Sequence, residues 1–193
     1  MRGTPRILAF AGSTREASFN KKLVRIAAQG AREAGATVTL IDLKDFPLPL
    51  FDEDLEAASG APEQARRLKP LMVEHDGFLI AAPEYNSSMT AVLKNAIDWV
   101  SRPVPHESPL VAFTGKVVVL MSASPGALGG LRGLVHVRAM LGNLGALILP
   151  DQIAVPRAFE AFHADGTLKD PQRQAEIERL GKTLATFLAK FKA

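Results

Sequence analysis

The sequence has no cysteine among its 193 residues. This absence excludes disulfide bonds, thiolate nucleophiles, cysteine-ligated zinc and cysteine-held iron–sulfur clusters. Any redox chemistry carried out by this chain therefore requires a bound cofactor.

A strong charge of one sign and a long apolar run are also missing. The 23 Lys and Arg residues are balanced by 20 Asp and Glu residues, and the two signs are interspersed. Nucleic-acid binding usually needs basic residues gathered on one face, so we expect no nucleic-acid partner. The apolar runs stop well short of the roughly 18 residues that a membrane-spanning helix needs. We therefore expect no membrane association and a mature, soluble, cytoplasmic protein.

Apolar residues make up 47% of the chain, which is enough for a sizeable core in one domain. Five short apolar runs are typical of buried strands. They are Arg6–Ala11, Thr37–Ile41, Gly77–Ala82, Lys116–Ser122 and Ala146–Leu149. Segments with helical spacing lie between these runs, and a last one follows at Pro171–Phe191. The alternation predicts an α/β fold in which helices cover both faces of a parallel sheet.

Two of the intervals contain long loops. Asp42–Pro62, with several prolines and acidic residues, is expected to be a surface loop that holds a short helix. Arg102–Gly115 is expected to be a second loop, between the third helix and the fourth strand.

Three polar segments follow the first, third and fourth predicted strands, where ligands bind in sheets of this kind. The first, Gly12–Asn20, joins a strand to a helix and offers hydroxyls, an amide and the guanidinium of Arg15 beside free helix N–H groups. These groups suit a phosphate. The alternative is a serine-rich turn in which Ser18 or Asn20 only caps the helix.

The second segment, Ala82–Ser88, contains a proline that ends the strand and the only tyrosine of the chain, Tyr85. A turn here would present backbone amides and a flat ring to a planar heterocycle, although a solvated loop with a packed tyrosine is an equal alternative. The third segment, Ser122–Gly130, lets the backbone approach a ligand closely or simply reverses the chain.

Taken together, these segments resemble the NADPH-dependent FMN reductase family of flavodoxin-like proteins, which includes chromate, quinone and azo-dye reductases. The resemblance rests on three motifs and covers roughly residues 5 to 190. The motifs are Gly12–Asn20, Pro83–Ser88 continuing into Leu93–Pro103, and Ser124-Pro125-Gly126 followed by Gly129-Gly130. It implies a single flavodoxin-like FMN-binding domain over residues 1–193, a three-layer sandwich whose five parallel strands follow the order 2-1-3-4-5.

The resemblance also implies roles for ten residues. Ser13, Arg15, Ser18 and Asn20 would hold the FMN phosphate. Pro83, Glu84, Tyr85 and Asn86 would lie along the ribityl chain and the edge of the isoalloxazine ring. Ser122 and Ser124 would lie near the other side of the ring. Many relatives carry Pro-Gly where this chain has Thr90-Ala91, so the entry to the third helix is expected to differ.

With FMN in the crevice, the implied reaction is a ping-pong hydride transfer from NADPH or NADH to FMN. Electrons then pass to a quinone, free flavin, azo dye or metal oxyanion. The protein tunes the flavin and shapes the site, so no catalytic side chain is assigned. NADPH is the expected donor. A homodimer or homotetramer is common in the family and would give Trp99 and Arg102 a partner chain, although Trp99 is also a candidate core residue.

Alternatives remain at this stage. A flavodoxin-type FMN electron carrier would bind FMN without oxidising NAD(P)H, and its usual acidity argues mildly against it here. A flavin-free nucleotide-binding or transferase domain would bind no FMN. The four histidines, at positions 75, 106, 136 and 163, have no ligand spacing and are expected to be structural or exposed. Asp52, Glu53, Asp54 and Glu56 are interpreted as a solvated loop, so no metal site is expected.

Overall fold

The computed structural model describes residues 3–191. In chain order, its elements are β1 (Arg6–Ala11), α1 (Phe19–Glu33), β2 (Thr37–Leu40), a 3₁₀ turn (Leu43–Asp45), α2 (Glu53–Ser59), α3 (Glu63–Glu74), β3 (Gly77–Ala81), β4 (Glu84–Tyr85), β5 (Ser88–Met89), α4 (Ala91–Val100), β6 (Val117–Ala123), α5 (Leu131–Asn143), β7 (Leu147–Val155), α6 (Ala158–Ala161) and α7 (Pro171–Phe191).

Five of the strands form one parallel sheet in the order β2-β1-β3-β6-β7. Counted along the chain, this is the predicted order 2-1-3-4-5, and the prediction of a flavodoxin-like α/β fold is confirmed. The central strands β1, β3 and β6 are almost entirely buried because both faces of the sheet are covered. This is why the sequence shows them as continuous apolar runs without alternation.

Helices α1 and α7 cover one face of the sheet, and α3, α4 and α5 cover the other. Helices α1 and α7 approach very closely, with no room for a side chain at two glycines. A Cβ at Gly30 would lie 2.0 Å from Glu178 O, and one at Gly181 would lie 1.8 Å from Ala27 O. The close contact fixes α1, the helix whose N-terminus follows β1.

The predicted end of the last strand is wrong. The prediction stopped at Leu149, before Pro150, whereas β7 continues to Val155. Because β7 is an edge strand with a register shift opposite Val118–Leu120, it accommodates a proline that a central strand would not. The other strand boundaries agree to within one residue, and the last helix has the predicted bounds.

The segment after β2 contains the 3₁₀ turn and α2, in agreement with the predicted loop and short helix. This segment packs on α4. The indole of Trp99 is buried, donates from Nε1 to Pro49 O at 2.8 Å and contacts the ring of Phe51. The guanidinium of Arg102 forms an ion pair with Glu56 at 2.8 Å. Both residues, expected at a partner chain, thus have partners within this chain.

No helix within residues 3–191 is both long enough and apolar enough to span a membrane.

Candidate functional site

The carboxyl ends of β1, β3 and β6 bring three loops together at one edge of the sheet. Ligands bind at this edge in open parallel sheets, where the strand order changes direction between β1 and β3. A cleft of about 60 Å³ lies between the loops. Eight of the ten predicted site residues line it: Ser13, Arg15, Ser18, Asn20, Pro83, Glu84, Tyr85 and Ser124.

The loop after β1 presents hydroxyl groups at the beginning of α1. Ser13 is buried, and its Oγ accepts a hydrogen bond from Arg15 N at 3.3 Å. Ser18 is the N-cap of α1, and its Oγ accepts from Lys21 N at 3.4 Å. A helix leaves its first N–H groups without intrahelical acceptors, and its dipole makes this end positive. Helix capping and anion binding are therefore compatible here.

Arg15 adds the positive side chain of this loop. It is exposed, and one guanidinium N–H donates to Ala17 O at 3.2 Å, which leaves most of its five donors available. The acidic residue of the loop, Glu16, is paired with Lys44 at 2.6 Å. The hydrogen bond and charge of Lys44 lower the pKa of Glu16, so this carboxylate is ionised and already neutralised by a cation.

Asn20 joins two elements of the site instead of standing free in the cleft. Its amide donates from Nδ2 to Ala123 O at 2.8 Å and accepts at Oδ1 from Ala123 N at 2.9 Å. The side chain is buried, so both bonds are shielded from water. Asn20 therefore fixes the start of α1 against the end of β6 and keeps one amide N–H for another acceptor.

The second loop is a β-hairpin that the sequence analysis did not predict. Strands β4 and β5 pair in antiparallel fashion around Asn86 and Ser87, whose φ values are 49° and 66°. Two positive φ values in a two-residue connection are the mark of a type I′ turn. Asn86 is thus an exposed turn residue outside the cleft lining, and Tyr85 remains 56% exposed at its rim.

Glu84 anchors this hairpin to α5. Its Oε1 accepts from Arg132 at 2.7 Å and its Oε2 from Gly133 N at 2.9 Å. Burial of the carboxyl, whose side chain is 8% exposed, raises its pKa, but the hydrogen bonds from Gly133 and Arg132 outweigh this and lower the pKa overall. The carboxylate thus caps the start of α5, while Glu84 also lines the cleft, and its predicted position along the flavin stays a prediction.

The two serines of the third loop have different surroundings. Ser124 lines the cleft, and its Oγ accepts from Gly126 N at 3.2 Å. Ser122 is fully buried, and within residues 3–191 its Oγ has no hydrogen-bond partner. A Cβ at Gly130 would lie 2.0 Å from this oxygen, so Gly130 covers Ser122. Ser122 was expected beside the flavin ring, but it does not reach the cleft.

The four histidines are structural or exposed, as the sequence predicts. His75 is buried and bonds to Leu71 O at 2.6 Å and Thr39 Oγ1 at 2.8 Å. The other three are exposed, and His136 contacts Ser88 of the hairpin. In the described part of the chain, no group of three or more His, Asp or Glu residues is placed to hold a metal ion. Asp52, the first of the four acidic residues at positions 52, 53, 54 and 56, is the N-cap of α2.

Two residues that support the site were not predicted as part of it. Thr90 caps α4, and its buried hydroxyl donates to Gly12 O at 2.7 Å, which ties α4 to the first loop. A threonine directly before a helical run is an N-cap signal that could have identified it. Arg132 lies 48 residues from Glu84, and no local signal indicates their contact.

Comparisons of the sequence and the structure with known proteins agree with one another. A family model described as NADPH-dependent FMN reductase matches residues 5–160. The chain is 33% identical to an NAD(P)H-dependent FMN reductase of Pseudomonas aeruginosa over 188 residues, covering 97% of each protein. It is 32% identical to a probable NADPH:quinone oxidoreductase of Oryza sativa, covering 94% of this chain and 88% of that protein. The structure of a flavoenzyme NAD(P)H:(acceptor) oxidoreductase of Paracoccus denitrificans, FerB, superposes with a TM-score of 0.80 at 26% identity, covering 97% of this chain and 98% of that one.

Proposed function

Because this chain belongs to the NADPH-dependent FMN reductase family, an oxidoreductase family that uses FMN and NAD(P)H, we propose that its FMN site is the cleft between the three loops. One observation carries the assignment. Eight of the ten residues expected around FMN, although separated by up to 111 positions between Ser13 and Ser124, line a single cleft at the N-terminus of α1.

The donor groups of the cleft fit a phosphate. Ser13, Ser18 and Arg15 offer hydroxyl and guanidinium donors, and the first turn of α1 offers backbone N–H groups. The carboxylate of Glu16 is neutralised by Lys44. The cleft, about 60 Å³, holds several times the 10–15 Å³ that one water molecule needs. It accommodates a small anionic group, and a three-ring system has to lie at its rim.

The rim offers the features that such a ring needs. Tyr85 presents a half-exposed aromatic ring, and the hairpin that carries it is fixed to α5 through Glu84 and Arg132. The turn of Ser124 is held by the end of β7, because Ser124 N donates to Val155 O at 3.1 Å. We assign Glu84 and Asn20 to positioning these loops, with one amide N–H of Asn20 remaining for the phosphate.

When bound, FMN supplies the redox chemistry by accepting a hydride from NAD(P)H and passing electrons to an acceptor. The protein binds and orients both partners in turn at the same open rim, which is the basis for a ping-pong order. No side chain of the cleft has to donate or accept a proton for this scheme. Small acceptors that can reach the rim are the expected substrates: quinone, free flavin, azo dye or metal oxyanion. The homodimer or homotetramer and the cytoplasmic location stay predictions.

The test is a visible spectrum of the protein after it has been mixed with FMN and desalted, before and after NADPH is added without oxygen. Retained flavin bands that bleach on NADPH support the proposal. Bands that persist with both NADPH and NADH would identify a flavodoxin-type carrier. Loss of all flavin, with weak binding excluded by titration, would favour a flavin-free domain.

Arg15→Ala tests the phosphate assignment. The variant loses a charge-assisted hydrogen bond, about 1.5–3 kcal/mol, which corresponds to about tenfold to over a hundredfold weaker FMN binding. Arg25→Ala is the matched control, because Arg25 is an exposed guanidinium on the same helix outside the cleft. Equal FMN dissociation constants for the two variants, measured by quenching of flavin fluorescence, would place the phosphate elsewhere.

A further inference from the structure

The corner that follows β7 carries an exposed aromatic ring beside cations that lack acidic partners. Phe159 is 71% exposed, which is unusual for a phenylalanine, and is next to the loop that lines the cleft. Its ring meets the ring of Phe19 edge-on at 5.2 Å, and Phe19 itself lines the cleft. The ring is thus held from one side while the rest of its surface faces solvent.

A shallow pocket of about 300 Å³ lies at the same corner. Arg157, Lys169 and Arg173 line it together with Glu160 and Asp170. Asp170 Oδ1 already accepts hydrogen bonds from the backbone N–H groups of Gln172 and Arg173. Within residues 3–191, Arg157 and Lys169 form no ion pair, whereas Arg173 pairs with Glu176. Among the described residues, the pocket thus holds two cations without an ion pair, Arg157 and Lys169, beside the carboxylates of Glu160 and Asp170.

The backbone holds this corner in an uncommon conformation against the cleft loop. Arg157 has a φ of 47°, in the left-handed region that costs energy for a residue with a side chain. Its N–H donates to Gly126 O at 3.3 Å, and Ala158 N donates to Ser124 O at 3.1 Å. Arg157 and Phe159 are therefore fixed relative to Ser124, a residue of the cleft.

We propose that this corner binds the adenosine 2′-phosphate half of NADPH. The exposed face of Phe159 takes the adenine ring by stacking, and Arg157 with Lys169 takes the 2′-phosphate through charge-assisted hydrogen bonds. The nicotinamide end then reaches the rim of the cleft on the other side of the Ser124–Gly126 turn. This inference rests on the proposed function, since it assigns the second half of the hydride donor. NADH lacks the 2′-phosphate, so Arg157 and Lys169 discriminate between the two donors.

Binding of nucleotide fragments tests the proposal without any turnover. By calorimetry, 2′,5′-ADP should bind the wild-type protein more tightly than 5′-AMP, and Arg157→Ala and Lys169→Ala should each weaken 2′,5′-ADP binding at least about tenfold while 5′-AMP is unaffected. Arg179→Ala, which removes an exposed arginine of α7 outside the pocket, is the charge-matched control. Equal affinities for 2′,5′-ADP in the Arg157 and Arg179 variants, or no binding to the wild type, would overturn the assignment.

Kinetics separates the two parts of the site. Arg157→Ala should lower kcat/KM for NADPH alone, and Phe159→Leu should lower kcat/KM for NADPH and NADH alike, about two- to tenfold. Phe191→Leu, another exposed phenylalanine but near the end of α7, should leave both unchanged. An unaltered ratio of the two donors in Arg157→Ala contradicts the inference. A wild-type protein that oxidises neither donor contradicts the proposed function instead. The binding of 2′,5′-ADP and 5′-AMP then shows by itself whether the corner recognises a 2′-phosphate.

Discussion

At the scale of single residues, the polar side chains around the cleft divide into those bonded to the protein and those left for a ligand. Asn20 and Glu84 belong to the first group, because each has two or more hydrogen bonds to a distant element. Arg15 belongs to the second group, since within residues 3–191 its side chain makes one hydrogen bond, to the nearby Ala17 O. Substitutions in the first group should therefore change the stability of the protein itself, with or without a ligand.

Glu84→Gln should lower the free energy of unfolding by roughly 1–3 kcal/mol at pH 7, because Arg132 and the N–H of Gly133 lose a charged acceptor. The pKa of Glu84 is lowered by folding, so this stabilisation is fully present above the ordinary value of 4.5 and is lost as pH falls below it. Urea unfolding at several pH values should thus show the gap between wild type and variant narrowing in acid. Glu16→Gln is the control, because the side chain of Glu16 is 85% exposed and its loss should change the free energy of unfolding little. A stability difference between wild type and Glu84→Gln that widens in acid would contradict the prediction.

Asn20→Ala should destabilise the protein by about 1–3 kcal/mol even without FMN, because the buried N–H and carbonyl of Ala123 both lose their partner. The control is Gln29→Ala, in which an exposed amide of the same helix is removed and a change within about 0.5 kcal/mol is expected. Chemical denaturation of the apoproteins measures both. Similar losses in the two variants would mean that the bonds to Ala123 contribute nothing.

The residue types of the site could be predicted, but most of their bonds could not. Serines, an arginine and an asparagine between a strand and a helix indicate an anion site because of general helix-terminus physics. The contact of Asn20 with Ala123 spans 103 positions, and that of Glu84 with Arg132 spans 48. Such contacts depend on how the elements assemble, which no local pattern encodes. For the same reason, the sequence does not show the bonds of Glu84 to α5 or the burial of Ser122 under Gly130.

At the scale of elements, the start of α4 depends on Thr90, the N-cap residue of this helix. Its hydroxyl accepts from Leu93 N at 3.2 Å and donates to Gly12 O, so one side chain caps a helix and fixes the loop after β1. Thr90, the first residue of the Thr90-Ala91 pair, thus has a structural role of its own. It also places the entry of α4 directly against the first loop of the cleft.

Thr90→Val should cost about 1–3 kcal/mol in free energy of unfolding, because an N-cap is lost and a carbonyl is left without its donor. Thr90→Ser retains the hydroxyl and should keep most of the stability. Thermal or urea unfolding of the two variants gives the comparison. A serine variant as unstable as the valine variant would show that the methyl group of Thr90, and not its hydroxyl, is what matters.

Elements were predicted well where a periodic apolar pattern defines them and poorly where a turn does. The helix Pro171–Phe191 was predicted with its bounds because its apolar stripe is long. The β4–β5 hairpin is only two residues per strand, and its Asn-Ser turn lacks the glycine that signals a type I′ connection most strongly. The end of β7 was missed because the apolar run stops at Leu149, whereas this edge strand continues through Pro150 to Val155.

At the scale of the whole molecule, the contact of α1 with α7 joins the two ends of the described chain. Gly181→Ala should destabilise the protein by about 1–3 kcal/mol or more, because its new Cβ would lie 1.8 Å from Ala27 O and force the helices apart. Gly142→Ala is the control with opposite sign. Its Cβ would meet nothing closer than Ile148 Cδ1 at 3.8 Å, so the better helix former should stabilise α5 by about 0.5–1 kcal/mol.

Both changes can be measured by urea unfolding. A higher free energy of unfolding in Gly181→Ala would show that α1 and α7 can move apart at little cost in free energy, which would contradict the close packing at Gly181. Loss of stability in Gly142→Ala would show that helix propensity does not govern α5.

The same helix contact sets an order of events during synthesis. Helix α1, whose first turn borders the cleft, emerges early from the ribosome, whereas α7, which covers part of its buried face, is the last helix of the described chain. Domains fold as units once their sequence is available, so the part of α1 that packs on α7 stays uncovered until residues 177–188 have been made. In a nascent chain, the support that α7 gives to α1, and through it to one wall of the cleft, is therefore the last part of the fold to form.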